Sequence, residues 1–229
     1  MDGAKNHPDN ISTLKMLLRT IGNANLMEYH PFIQLHLKSE NKDLVATAIM
    51  ASGLTMHSQF ISPLLSFLPN KVYRETTLEA LNNFGVQLLP TLVIVVKERK
   101  ESIIICRFIP MVIETFNSQE AVHGLFQLLH DRDLSVRLEV IRSLSNLKRK
   151  SPRLKYNQMK VVKTIYDECN LYHQTLSAMH TEIIQQYRNR KKTKVLVSNE
   201  ERDARAGLLD LLERRLESGL ERIFKLLGL

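Results

Sequence analysis

Eight histidines and two cysteines are the residues with which a search for a metal site or a nucleophile begins. His173 and His180 stand seven apart, whereas two ligands on one helix want a spacing of three or four. Neither has carboxylates at that spacing on both sides, and His30, His36 and His57 form no HExxH pattern. These histidines read as surface or packing residues. Cys106 and Cys169 fall on predicted apolar faces, where a free thiol behaves as a small hydrophobe. Neither has an identifiable base to activate it, and no CxxC pair suggests zinc. Neither GxxxxGK[ST] nor GxGxxG occurs, so no glycine loop is available to cradle a phosphate. These residues give no basis for an enzyme, a metal or a cofactor. Two cysteines cannot build a disulfide framework, which points to a reducing, cytoplasmic setting.

Charge is the more informative chemistry. Residues 1–147 hold 14 Lys and Arg against 14 Asp and Glu, while residues 148–229 hold 18 against 10. The whole formal charge of +8 therefore sits in the last third. It gathers in two runs, Lys148, Arg149, Lys150, Arg153 and Lys155, then Arg188, Arg190, Lys191, Lys192 and Lys194. Such runs are usually solvated loops or interaction tails. Next to a membrane each Lys or Arg contributes about 1 kcal/mol of attraction to acidic lipid, so these ten residues are the candidate site for a protein partner or an anionic lipid surface.

The elements that must position these residues follow a period of about 32. From Arg137 the apolar or cap positions are Val140, Leu144 and Lys148, at steps of three, seven and eleven. The same steps give Thr77, Leu81 and Gly85 from Arg74, and Val45, Ile49 and Gly53 from Lys42. They give Ile109, Ile113 and Asn117 from Cys106, and Leu14, Leu18 and Gly22 from Ile11. Positions three and seven share one face of a 3.6-residue helix, and the closing Gly or Asn is expected to cap it in left-handed geometry. The helices from Lys42, Arg74 and Arg137 each follow another apolar-periodic segment, with Pro31 and Pro63, 32 apart, in the first turn of the first two. The unit is helix, turn, helix, and one unit cannot bury its stripe alone. Eight Gly, seven Pro and no Trp also leave too few turn residues for an all-β fold.

Gln119 to Lys148, QEAVHGLFQLLHDRDLSVRLEVIRSLSNLK, resembles the HEAT-repeat consensus in its Leu-rich first helix, acidic turn, Val136-Arg137 and apolar second helix. The resemblance covers residues 11–148. It implies an all-α fold, a right-handed α-solenoid of HEAT-like helix pairs followed by a long helix and a C-terminal helical segment. In HEAT repeats the turn Asp and the following Arg form a ladder between repeats, a role that falls here on Asp131, Asp133 and Arg137. Asn41, Lys42, Asn70 and Arg74 match more loosely, and Cys106 departs, with Arg107 beside it. Pro110 lies inside a second helix, where a kink is predicted. The helix from Ile11 has no partner before it, which implies a piece of a longer polypeptide.

The organisation expected is a HEAT-like α-solenoid over residues 1–150 and a helical C-terminal extension over 151–229 packed on it. Val162, Ile165, Cys169, Tyr172, Leu176, Met179 and Ile183 recur at steps of three and four. That stripe suits either a helix packing on the last repeat or a coiled-coil seam. Glu200 to Leu229 is similar to the segment that closes the helical insert in the HEAT region of bacterial ATP/ADP-antiporter-like transporters of the major facilitator type. This resemblance implies a soluble cytoplasmic part of a membrane protein and carries no transport residues with it. Val86–Val96 and Ser102–Ile113 are both shorter than a membrane span.

The function expected is a non-enzymatic protein-interaction scaffold that engages a protein partner or other domains of the same polypeptide. The alternatives are anionic membrane-surface docking by the basic runs, and nucleic-acid binding of the HEAT type. A neutral first two thirds without Trp disfavours nucleic acid.

Overall fold

The computed structural model describes residues 8–167 and, beyond them, only 169, 170, 173, 174, 177, 180, 181 and 217. The chain divides into two compact units, residues 1–154 and 155–229. Among the described residues every regular element is a helix.

In the first unit, α1 (Pro8–Ala24) is followed by α2 (His30–His36) and α3 (Lys42–Thr55). Next come α4 (Ile61–Phe67), α5 (Arg74–Asn82), α6 (Leu89–Lys97), α7 (Ile103–Cys106) and α8 (Ile109–Thr115). The unit closes with α9 (Gln119–Leu128) and α10 (Leu134–Lys150). A single 3-10 turn leads into each of α2, α4 and α6, at Met27–Tyr29, Ser58–Phe60 and Val86–Leu88. Side-chain oxygens start the helices where the sequence supplies them. Asn41 Oδ1 accepts from Asp43 N at 3.0 Å and Leu44 N at 3.1 Å. Ser118 Oγ accepts from Ala121 N, and Asp133 Oδ1 from Val136 N, each at 3.1 Å. Pro31 and Pro110 occupy the first two positions of α2 and α8, where a missing N–H costs nothing.

Packing repeats along the chain. Helix α1 lies on α3, α3 on α5, α5 on α8 and α8 on α10, while α6 lies on α9. Within pairs, α2 meets α3, α4 meets α5, α6 meets α8 and α9 meets α10. The third and seventh positions after each anchor supply the layer between them. Leu18, Val45, Ile49, Thr77, Leu81, Ile109, Ile113, Val140 and Leu144 are all buried, and Leu14 is half-buried. Helix α3 is buried nearly all round, because α1, α2 and α5 each take one of its sides.

Three expectations are corrected. Gly22 and Gly53 do not end their helices; they sit inside α1 and α3, and Asn25 (φ 48°) and Met56 (φ 51°) take the left-handed positions three residues later. Both glycines allow close approach instead. A Cβ on Gly22 would stand 2.9 Å from Ala51 Cα, and one on Gly53 would stand 2.5 Å from Ala80 Cα and O. Gly85 (φ 70°) and Asn117 (φ 44°) do adopt left-handed backbone. Pro110 does not kink a continuous helix; the chain leaves helix at Arg107 and Phe108, and Pro110 opens α8 as a fresh start. In the second unit, residues 158–167 are helical, but the buried positions are Val161 and Thr164 and Val162 is 56% exposed. Ile165 and Cys169 of the predicted stripe are half-buried. Tyr172, Leu176, Met179 and Ile183 lie outside the described residues.

Among the described residues no single helix is long and apolar enough to cross a membrane. Arg74–Asn82 and Val86–Lys97 reach the required composition together, but they bend by 100° at their junction.

Candidate functional site

Polar side chains tie each helix pair to the next, and the bonds between pairs span 26 to 39 residues. On the turn edge, the Arg99 guanidinium donates to Asp131 Oδ1, and Arg107 Nη2 to Asp133 Oδ2 at 3.3 Å. The side chain of Asp131 is 6% exposed, and its Oδ1 also accepts from Asp133 N at 2.8 Å. Burial works against ionisation of Asp133. The N–H groups of Val136 and Ser135 and the Arg107 guanidinium outweigh it and hold the carboxyl below its ordinary value.

Arg74 and Arg137, assigned to the ladder from sequence, share one geometry. Arg74 donates to the carbonyls six and five residues back, Leu68 O at 2.8 Å and Pro69 O at 3.0 Å. Arg137 donates to Asp131 O at 2.9 Å and Arg132 O at 3.5 Å, the same offsets. Each guanidinium therefore latches the end of a first helix to the start of a second, satisfying carbonyls that no helix can reach. Arg74 also lies over the Phe108 ring of the next pair, 4.5 Å from its centroid.

The first basic run is divided by its contacts. Lys150 Nζ donates to Glu114 Oε1 at 2.7 Å, and Asn146 Nδ2 to Glu114 Oε2 at 3.0 Å, so a carboxylate that is 9% exposed is bound from α10. Arg149 donates to Asn146 Oδ1 at 3.1 Å. Arg149, Arg153 and Lys155 are exposed and Lys148 is half-buried. The second run, Arg188, Arg190, Lys191, Lys192 and Lys194, lies outside the described residues, as does the stretch 200–229 apart from Glu217.

Two features escaped the sequence reading. The first is a groove of about 400 Å³ between α6 and α9. Val86, Leu89, Val93 and Ile94 form one wall, Glu120, His123 and Gln127 the other, and Gly124 the floor. Val86 and Ile94 are 47% and 40% exposed. Lys97 Nζ donates to Gln127 Oε1 at 3.0 Å across one end. At the other end Glu120 is exposed, and its own backbone N–H, the Ser118 hydroxyl and nearby His123 hold its carboxyl below the usual range. The available signal was Gly124, an interior glycine in an otherwise amphipathic helix.

The second is a buried imidazole. His30 is 4% exposed; its Nδ1 lies 2.6 Å from Gln59 Nε2, and its Nε2 is buried without a hydrogen-bond partner. His57 and Phe60 meet its ring edge-on at 5.2 Å. Burial, then His57, pushes its pKa down. Cys106 is fully buried, its Sγ donating to Glu101 O at 3.5 Å, and burial pushes the thiol up. Among the described residues no three His, Cys, Asp or Glu side chains gather as a metal site, and His173 and His180 are exposed.

In comparison with known proteins, no protein-family model matches the chain and no curated protein matches it.

Proposed function

We propose that the chain is a protein-interaction scaffold, a right-handed α-solenoid of HEAT-like helix pairs that presents helix-lined surfaces to a protein partner or to other domains of the same polypeptide. The observation that carries this reading is the recurrence of the same contacts along the chain. Arg74 and Arg137 repeat one latch at identical offsets, and Gly22–Ala51 and Gly53–Ala80 repeat one close approach. Each second helix also lies on the next in chain order. Stacks of this kind bury a continuous core and leave long ridged faces, whose use is recognition. The long-range polar bonds hold the pairs to one another, a structural use of charge, and Lys150 is held by Glu114 in the same way.

Photo-crosslinking inside the native cell tests the reading. A crosslinkable residue replaces exposed Thr91 on α6 or exposed Glu79 on α5, on a first and a second helix. A scaffold gives one discrete adduct with another polypeptide from at least one position. The absence of a discrete adduct from both positions overturns it.

A further inference from the structure

Among the described residues three glycines lie inside helices, and only two are explained by packing. At Gly22 and Gly53 an added Cβ would meet the backbone of the next helix at 2.9 and 2.5 Å. At Gly124 it would meet only the ends of Val93 and Ile113, at 3.4 and 3.9 Å, which is ordinary contact. A helix interior favours alanine over glycine, so Gly124 spends stability that no neighbour requires. What it preserves is the floor of the α6–α9 groove.

We propose that this groove receives an amphipathic partner helix with a basic and an acidic residue seven positions apart and two apolar side chains between them. This rests on the scaffold reading and names its surface. The apolar wall of Val86, Leu89, Val93 and Ile94 suits aliphatic or aromatic anchors, and the groove has room for more than one. The charges at its ends select the flanks. Glu120 supplies an anion at the start of α9; Lys97 supplies a cation at the end of α6, bonded there to the neutral amide of Gln127. Glu120 and Gln127 are seven residues apart on one helix, which is about 10 Å along the axis. Residues i and i+7 of a partner helix share a face at the same separation. A partner cation against Glu120 and a partner anion against Lys97 then place positions i+3 and i+4 over Gly124.

The test is selection of helical peptides from a display library on the immobilised full-length chain. The expected peptides carry Lys or Arg, two apolar residues and Asp or Glu in that register. Their affinity drops at least tenfold for the double variant Glu120→Lys with Lys97→Glu, and exchanging the two peptide charges restores it. Both substitutions are at exposed positions, and a circular dichroism melt verifies the fold. Peptides that bind both proteins equally bind elsewhere, which overturns the groove and leaves the scaffold standing. No enrichment over an unrelated protein also overturns the groove, and the crosslinking experiment then judges the scaffold on its own.

Discussion

Replacing Gly53 by alanine adds one methyl group where α3 meets α5. The new Cβ would lie 2.5 Å from Ala80 Cα and O and 2.7 Å from Ala80 Cβ. Carbon atoms pack at about 3.5–4.0 Å, so the two helices must part by roughly 1 to 1.5 Å. The obstacle is backbone, which has no rotamer to change. Overpacking typically costs about 1–3 kcal/mol, and this geometry belongs at the upper end. Alanine's better helix propensity returns about 1 kcal/mol, leaving a net loss of about 2 kcal/mol. For a chain of this size that lowers Tm by about 4–8 °C. Gly124→Ala is the matched control, since it gains helix propensity without a clash and is expected to stabilise by about 0.5–1 kcal/mol. Urea unfolding followed by far-ultraviolet circular dichroism measures both, with an unchanged m-value showing that stability alone has moved. If Gly53→Ala proves as stable as the parent chain, α3 and α5 do not approach as described, and the reasoning about both glycines fails.

Three further outcomes follow from the contacts. His30 has a pKa pushed below its ordinary value of 6.5 by burial and His57, so the unfolded chain takes up its proton first as pH falls. The urea midpoint should be flat above pH 7 and decline as pH drops through 6.5, and His30→Phe should remove much of that decline; an identical slope in the variant refutes the assignment. A double-mutant cycle on Arg99→Ala and Asp131→Ala should return a coupling of about 1–2 kcal/mol, because Asp131 is nearly buried; additive effects would show that the bond contributes nothing. Arg74→Lys keeps the charge but loses the fork on Leu68 O and Pro69 O and the stacking on Phe108. It should cost about 1–2 kcal/mol in the same unfolding assay, and a neutral result contradicts the latch.

The helices and their buried faces were legible because both depend on local spacing. Leu18, Ile49, Leu81, Ile113 and Leu144, each seven residues after an anchor, are all buried. What spacing could not reveal is which neighbour a residue meets. Gly22 and Gly53 resemble end caps in one dimension, yet the space they leave is filled by Ala51 and Ala80, about one repeat away. Arg137 next to an acidic turn suggested a ladder with the acids, and spacing gave no sign that its guanidinium also bonds Asp131 O and Arg132 O, carbonyls that every residue has and no pattern marks. Val162 falls off the buried face because steps of three and four also allow the neighbouring positions Val161 and Thr164, while Ile165 and Cys169 are half-buried. The groove between α6 and α9 joins residues of the two helices that lie 23 or more apart, and only Gly124 hinted at it.

The stacking of consecutive helix pairs can be tested most directly by zero-length carbodiimide coupling of the unaltered chain, followed by peptide mass spectrometry. Lys15 Nζ lies 2.8 Å from Asp43 Oδ2, joining α1 to α3, and Lys150 Nζ lies 2.7 Å from Glu114 Oε1, joining α10 to α8. Lys100 and Glu98, 3.0 Å apart within one turn, serve as the internal control. The account predicts amide links Lys15–Asp43 and Lys150–Glu114 alongside the control link. A control link with neither of these, or with Lys15 joined instead to a carboxylate beyond α3, would contradict it.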